Sequence, residues 1–552
     1  MAPINATQDV AEKDSAVNTQ HEEDRISNIV KPHEVVADAA DKGQATSGYE
    51  ALTLWETIKT FKVASAYCFA AAFSAGADGY QMAMNANIIA NKGFVHQFYT
   101  DVSAEGENFL TSGTISSWSA TQSCGQVMGQ IGISFVNARL GRRVGMLVLW
   151  LLIMTSVLIE TFGRDWKIWL VAKLFAGLGV GALQATITSY ISEISPVRIR
   201  GSMLMLYSFW WTLGSFCTHV ALQRLNSQNP LNWLTPIYTQ WAHVGIMAII
   251  YLCLPESPAW CVSVGKDEQA KKWLRFIHRD VKDYDVEYQY QILALNLEHE
   301  RQIAIEQRKE SWWAIFRGTD GRRTITALWT IVSQQFLGLA LFGTFGTYFF
   351  QQAGLADPFK IKAITTSLQI VTVIAAVFLV DTLGRRHIAC GATTLMWISC
   401  LVVGILGVAP ETKATTYIFV VFASLWNVGI AGNGAAGWGY VGEMSSQRLR
   451  PYTSGFAAGA NSASGLIMSV LTPYMVNAHQ WNWRYRTGFF YAGVGLIWVV
   501  GIWFIVPETA GRSAAELDEL FERKIKAWRF KGTETATQRL VQTEKEIGAI
   551  QA

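Results

Sequence analysis

Twelve runs of apolar residues, in two sets of six, constrain this chain more than any other feature. The first set covers about 62–84, 111–136, 144–162, 167–191, 203–223 and 236–254. The second covers about 324–352, 361–380, 387–408, 414–440, 455–476 and 485–506. A helix needs roughly 20 residues to cross the hydrocarbon core of a bilayer. In lipid, every backbone N–H and C=O must be satisfied inside the protein, so runs of this length become helices. The predicted fold class is therefore an all-α membrane protein, with twelve transmembrane helices in two pseudo-symmetric six-helix bundles. Composition agrees, because charged residues make up only 16% of the 552, against about 25% in a soluble protein. A net charge of +3 gives no footing for nucleic acid.

The runs divide the chain. Residues 1–60 are polar and acidic and lack the apolar core of a signal peptide, so a disordered cytosolic tail is expected. Asn5-Ala6-Thr7 is a sequon that a cytosolic tail would leave unused. An N-terminal bundle follows over 61–254 and a cytosolic helical linker over 255–323. A C-terminal bundle is expected over 324–506, and a cytosolic tail over 507–552. The linker holds twelve acidic and twelve basic residues, with helical patterning in 266–278 and 283–309. Lys and Arg cluster in the linker and after spans 2, 4, 8 and 10, which places those loops and both termini in the cytosol. Arg484 and Arg486 run against that trend.

Span 1 contains an acid, Asp78, in Ser74-Ala75-Gly76-Ala77-Asp78-Gly79-Tyr80. A carboxylate at mid-span costs on the order of 3 kcal/mol on insertion scales. A buried cation, a water-filled cavity or a proton would offset that cost. The plain alternative is an acid hydrogen-bonded within a helix contact.

The two halves repeat. Arg139-Leu140-Gly141-Arg142-Arg143 follows span 2, and Asp381-Thr382-Leu383-Gly384-Arg385-Arg386 follows span 8. Glu193 to Arg200 follows span 4, and Glu443 to Arg450 follows span 10. Pro255-Glu256-Ser257 closes the first half and Pro507-Glu508-Thr509 the second. Duplication of this kind is the sequence sign of a two-bundle transporter with its site at the repeat interface. Arg139, Arg142, Arg143, Arg200, Arg385, Arg386 and Arg450 are candidate latch cations. Their candidate carboxylates are Glu193, Glu256, Asp381 and Glu443, and such pairs would lock in one state and release in the other. On the plainer reading these arginines only set topology and bind anionic lipid.

No enzyme is predicted, since the chain has no phosphate loop and no nucleophile constellation. The seven cysteines form no CxxC pair or zinc-like spacing, so no metal or cofactor is expected.

With these motifs in place, residues 60–530 resemble the sugar porter family of the major facilitator superfamily. The resemblance rests on the paired Gly-Arg-Arg loops, Glu193 to Arg200, Pro255 to Trp260, Gln334-Gln335 and Pro507 to Arg512. Within the family the chain is most similar to the fungal α-glucoside, maltose permease-like branch, through Tyr348 to Leu355, Trp481-Asn482-Trp483 and Glu516 to Phe521.

The resemblance implies the major facilitator fold and a sugar site between the bundles. Gln334, Gln335, Trp438, Asn461 and Ser208 stand at its substrate-binding positions. Each also has a purely structural reading, a glutamine pair stapling helices or a tryptophan packing. Asp78 falls on the acid of proton-coupled members, and Lys173 stands where many of them carry an arginine that restrains it. Three departures matter. Ala138 replaces the acid before the first Gly-Arg-Arg loop, Gln126 replaces an acid in span 2, and Ala340 and Ser208 replace two amides of hexose porters. They weigh against a plain glucose porter.

The function expected is secondary transport of a sugar, an α-glucoside or other oligosaccharide, by alternating access with proton symport. The partners are then the sugar, protons and the bilayer. The chain would act as a monomer in the plasma membrane. The alternatives are a passive facilitator, a permease for another organic solute, and a non-transporting sugar sensor.

Overall fold

The computed structural model describes residues 49, 52–103, 106–282, 284–309, 311–410, 412–445, 449–509, 514–533 and 535. The expected tail therefore lies outside the described residues up to 48, and the side chains of Asp381, Trp438 and Glu443 also fall outside them. Near its end the tail differs from expectation. Leu54–Thr60 forms a helix, because Thr53 and Glu56 make a reciprocal capping box at its start.

Twelve helical spans follow. The first is α1 (Lys62–Phe73 continued by Ala75–Asn87), then α2 (Ser112–Leu140), α3 (Arg142–Phe162) and α4 (Trp166–Ile194). Next come α5 (Arg200–Gln228) and α6 (Thr235–Cys253). Linker helices Asp267–Ile277 and Val286–Lys309 separate these from α7 (Gly318–Phe336), α8 (Pro358–Leu383) and α9 (Arg385–Leu406). The set ends with α10 (Lys413–Met444), α11 (Arg450–Val476) and α12 (Thr487–Ile505). A two-stranded hairpin, Asp101–Val102 with Asn108–Phe109, lies between α1 and α2.

Among the described residues, five helices are long and apolar enough by composition alone to cross a membrane: α3, α4, α9, α10 and α12. By contrast α1, α2, α5, α7 and α11 dilute their apolar residues with glycine, serine and amides. Large apolar side chains stand exposed around the molecule, among them Phe135, Leu151, Ile249, Val371, Ile497 and Phe504. An exposed apolar surface of this extent suits lipid rather than water.

Small residues set the closest packing. A Cβ on Gly177 or Gly181 in α4 would lie 2.1 or 2.0 Å from a backbone oxygen of α2. These two helices approach too closely for any side chain at those positions.

Residues 324–352, one run in the sequence, are not one helix. α7 stops at Phe336, Gly338 takes φ +89°, a π-helical turn runs Leu339–Thr344, and a short helix resumes at Gly346–Gln352. Only glycine enters that backbone region at little cost. A π turn leaves backbone carbonyls free of ordinary helical partners.

The bundles meet on the side opposite the linker, here called the far side. There Ser112 donates to the Pro473 carbonyl (3.1 Å) and Ser116 to the Val470 carbonyl (2.9 Å). Asn477 donates to Ser112 Oγ (3.0 Å), and the Thr347 N–H donates to Asn87 Oδ1 (3.2 Å). Phe109 stacks on His479 at 4.2 Å. The far side is closed.

Candidate substrate and coupling site

The linker-side loops show the duplication in atomic detail. Gly141 and Gly384 each join two helices directly, at φ +95° and +86°. Beyond each, a buried glutamate caps the next helix. Glu256 accepts the backbone N–H groups of Arg142 (2.8 Å) and Arg143 (3.2 Å). Glu508 accepts those of Arg385 (3.0 Å) and Arg386 (3.3 Å). A carboxylate there satisfies orphan donors and faces the positive end of the helix. Tyr190 and Tyr440 add a further matched pair, donating to the carbonyls of Pro255 (2.9 Å) and Pro507 (2.8 Å).

Among the expected latch residues, Arg142 binds Glu193 through Nε and Nη2, the shorter contact being 2.6 Å. Both belong to the first bundle. Arg143 instead donates to the Leu252 carbonyl, and Arg386 to those of Val506 and Trp503. Arg139, Arg200 and Arg450 are exposed. Glu256 thus serves backbone amides rather than a guanidinium. Its counterpart Glu508 was not among the expected residues, although the repeated Pro-Glu pair marked it.

Asp78 is fully buried in α1. Its Oδ2 accepts from Gln184 Nε2 of α4 (2.9 Å) and from the Tyr207 hydroxyl of α5 (2.8 Å). Gln184 Oε1 in turn accepts from Gln126 (2.8 Å) and Gln130 (2.9 Å) of α2. The Oδ1 atom is buried without a hydrogen-bond partner. Gln126, the glutamine in place of an acid, is thus one residue removed from Asp78.

The expected Asp78–Lys173 pair is replaced by another. Lys173 Nζ lies 2.8 Å from Glu160 Oε1, with both side chains fully buried. Gln240 donates to Glu160 Oε2 (3.1 Å), Ser156 donates to Oε1 (3.3 Å), and Lys173 lies over the Trp169 ring at 4.6 Å. Geometry explains the difference. Gln184, which does reach Asp78, is eleven residues beyond Lys173 in α4, or about 16 Å along the helix at 1.5 Å per residue. The span-1 side chain tied to the Lys173 network is Gln81, which donates to Gln240 (2.7 Å). Glu160 escaped sequence reasoning, although an acid inside an apolar run carries the same signal as Asp78.

In the second bundle, three of the expected substrate residues come together. Gln335 donates to Asn461 Oδ1 at 3.1 Å, and Gln334 reaches the same oxygen at 3.4 Å. Gln335 is buried, and Gln334 and Asn461 are partly so. Such an amide cluster can give and accept hydrogen bonds with hydroxyls once the mutual contacts open. Ser208 does not join it; it is exposed on α5. Trp438 belongs to α10, and its side chain lies outside the described residues.

Comparison with known proteins decides the family. The family model described as "Sugar (and other) transporter" matches residues 67–521. The chain belongs to the sugar transporter family. It is 28% identical over 456 residues to the MFS transporter fmqE of Aspergillus fumigatus, covering 82% of this chain and 85% of that one. It is 26% identical over 509 residues to the general alpha-glucoside permease of Saccharomyces cerevisiae, covering 89% and 81%. An inward open structure of the xylose transporter XylE from E. coli superposes with a TM-score of 0.66 at 19% identity, covering 82% of this chain and 99% of that one. The major facilitator fold and the twelve-helix, two-bundle class follow, as does the reading of the chain as a multi-pass membrane sugar transporter rather than an enzyme.

Proposed function

We propose that this transporter moves an α-glucoside or other oligosaccharide across the plasma membrane by alternating access, coupled to protons. It works as a monomer with both termini and the linker in the cytosol. The basic residues gathered on the linker side support that orientation. The relationship to the general alpha-glucoside permease supports the class of sugar. The amide cluster of Gln334, Gln335 and Asn461 binds the sugar hydroxyls, with Trp438 and Ser208 as further contacts.

The observation that carries the coupling is Asp78. It is wholly buried, holds two hydrogen-bond donors on one oxygen, and has no cation beside it among the described residues. A charge there is costly, and a proton removes it. Gln184 links this acid to the two α2 glutamines, so a change at Asp78 reaches α2, the helix that seals the far side through Ser112 and Ser116. Release of a proton from Asp78 then favours the rearrangement of that contact. Lys173, occupied by Glu160, holds the fold of the first bundle instead.

The test is uptake of labelled maltose in cells carrying the transporter, with and without a protonophore. Asp78→Asn is expected to abolish accumulation against a gradient while leaving equilibrative flux. Full concentrative uptake by that variant would remove the proton role from Asp78.

A further inference from the structure

Lys362 is buried in α8 one turn from its start. Its ammonium donates to the carbonyls of Phe342 (2.6 Å) and Gly343 (3.2 Å), in the π turn after α7. Among the described residues no carboxylate lies within ion-pair reach of it. A buried charge without a counter-ion is among the most expensive features a fold can keep. Carbonyl dipoles offset only part of that cost.

Beyond those two carbonyls, the neighbours are unsatisfied polar groups rather than acids. His219 of α5 packs its Nδ1 against the Thr366 hydroxyl (3.3 Å), one turn along α8 from Lys362, and its Nε2 is buried with no partner. The hydroxyl of Thr347, beside Gly346, whose added Cβ would touch Lys362, is likewise buried and unpartnered. Both bundles contribute, since His219 belongs to the first and Lys362 to the second. The cluster sits within the far-side closure, so separating α5 from α8 would open it to that side.

A buried cation in the same seam as two unfilled polar groups, His219 Nε2 and Thr347 Oγ1, with no carboxylate in ion-pair reach among the described residues, describes a receptor for an anion. We propose that the transported sugar carries a carboxylate, and that Lys362 with His219 forms the subsite that takes it. The carbonyls that hold Lys362, those of Phe342 and Gly343, follow Gln335 in the same segment, beyond the turn at Gly338. A disaccharide would place hydroxyls at the amide cluster and its acid group at Lys362. This inference rests on the amide cluster being the sugar site, and it sharpens the substrate from an oligosaccharide to an acidic one.

Equilibrium binding to the purified full chain tests it, with two probes of matched size. Maltobionate is an α-glucoside with a terminal carboxylate, and maltitol is its neutral counterpart. Wild type is expected to bind maltobionate at least about tenfold more tightly, the equivalent of about 1.4 kcal/mol. Lys362→Gln should erase that preference while leaving maltitol binding within about twofold, and Lys362→Arg, which keeps the charge, should retain it. Equal binding of the two probes by wild type would overturn the acidic-substrate inference alone. A preference that survives Lys362→Gln would overturn the role of Lys362. Binding of neither probe would overturn both this inference and the α-glucoside reading. No proton gradient enters the measurement, and both probes are compared at one pH, so the preference between them does not report the coupling at Asp78.

Discussion

The pair of Glu160 and Lys173 shows how much a single buried charge depends on its partner. Each is wholly buried, and Gln240 and Ser156 fill the remaining acceptor sites of the carboxylate. Removing one member strands the other in a low-dielectric interior, at a cost of about 3–5 kcal/mol. Replacing both with apolar side chains is often close to neutral. Glu160→Gln should therefore lower the thermal unfolding temperature sharply in detergent, and Glu160→Gln/Lys173→Met should recover most of the loss. The double variant should also accumulate sugar, because the pair has a structural role; absent accumulation in a well-folded double variant would return Lys173 to the coupling machinery. The cost of Asp78 was legible in the sequence, since an acid in an apolar run announces itself. Its partners were not, because helix register decides whether residue 173 or residue 184 of α4 faces α1. Gln334, Gln335 and Asn461, singled out by resemblance alone, touch one another in the second bundle, and their role with a sugar is the proposal to be tested. Gln335→Ala removes one neutral hydrogen bond from a sugar site. The expected loss is about 1–2 kcal/mol, read as a five- to thirty-fold rise in apparent KM with protein yield unchanged. An unchanged apparent KM would place the site elsewhere.

At the scale of elements, the duplicated loops act as rigid corners. Gly141 and Gly384 hold positive φ, and a Cβ on either would lie 2.5 Å from Oε2 of its capping glutamate. Alanine there meets backbone strain of about 1–3 kcal/mol and also displaces the carboxylate from the amides it serves. Gly141→Ala and Gly384→Ala should lower the unfolding temperature by similar amounts, since the two corners share one geometry. Gly391→Ala is the control: it sits within α9 with open space around it and should be neutral or slightly stabilising. A control that destabilises as much as the corner variants would refute the account. The repeat itself was plain in the sequence, because Gly-Arg-Arg and Pro-Glu recur at matching places. The role of the glutamates was not, since a carboxylate facing an arginine in the sequence is equally able to face that arginine's backbone N–H. The break in α7 was also hidden. Its residues stay apolar through Leu337 and Leu341, so hydropathy reads one helix where Gly338 turns the chain.

For the whole molecule, the legible part was the number of helices and their division into two bundles, fixed by the need to satisfy every backbone group in lipid. The relation between the bundles was not legible, because contacts such as Ser112 with Asn477 join residues hundreds of positions apart through small polar side chains of no special pattern. Those contacts make a prediction about transport. If solute crosses by alternating exposure, the far-side seal must part in every cycle. Linking Ser112→Cys to Asn477→Cys, whose wild-type side chains touch at 3.0 Å, would hold it shut. The background first needs the exposed Cys124, Cys217 and Cys253 replaced. Oxidation of the paired variant should then arrest sugar flux, and reduction should restore it, while each single cysteine remains insensitive to oxidant. Arrest would not by itself separate a blocked pathway from a lost site. Binding supplied from the linker side separates them, since under alternating access a shut far side is the state whose site serves the linker side, and the oxidised protein should still bind maltose. Flux that continues at the full rate through fully cross-linked protein would mean that α2 and α11 never part, and the far-side contacts would then be a static joint between the bundles.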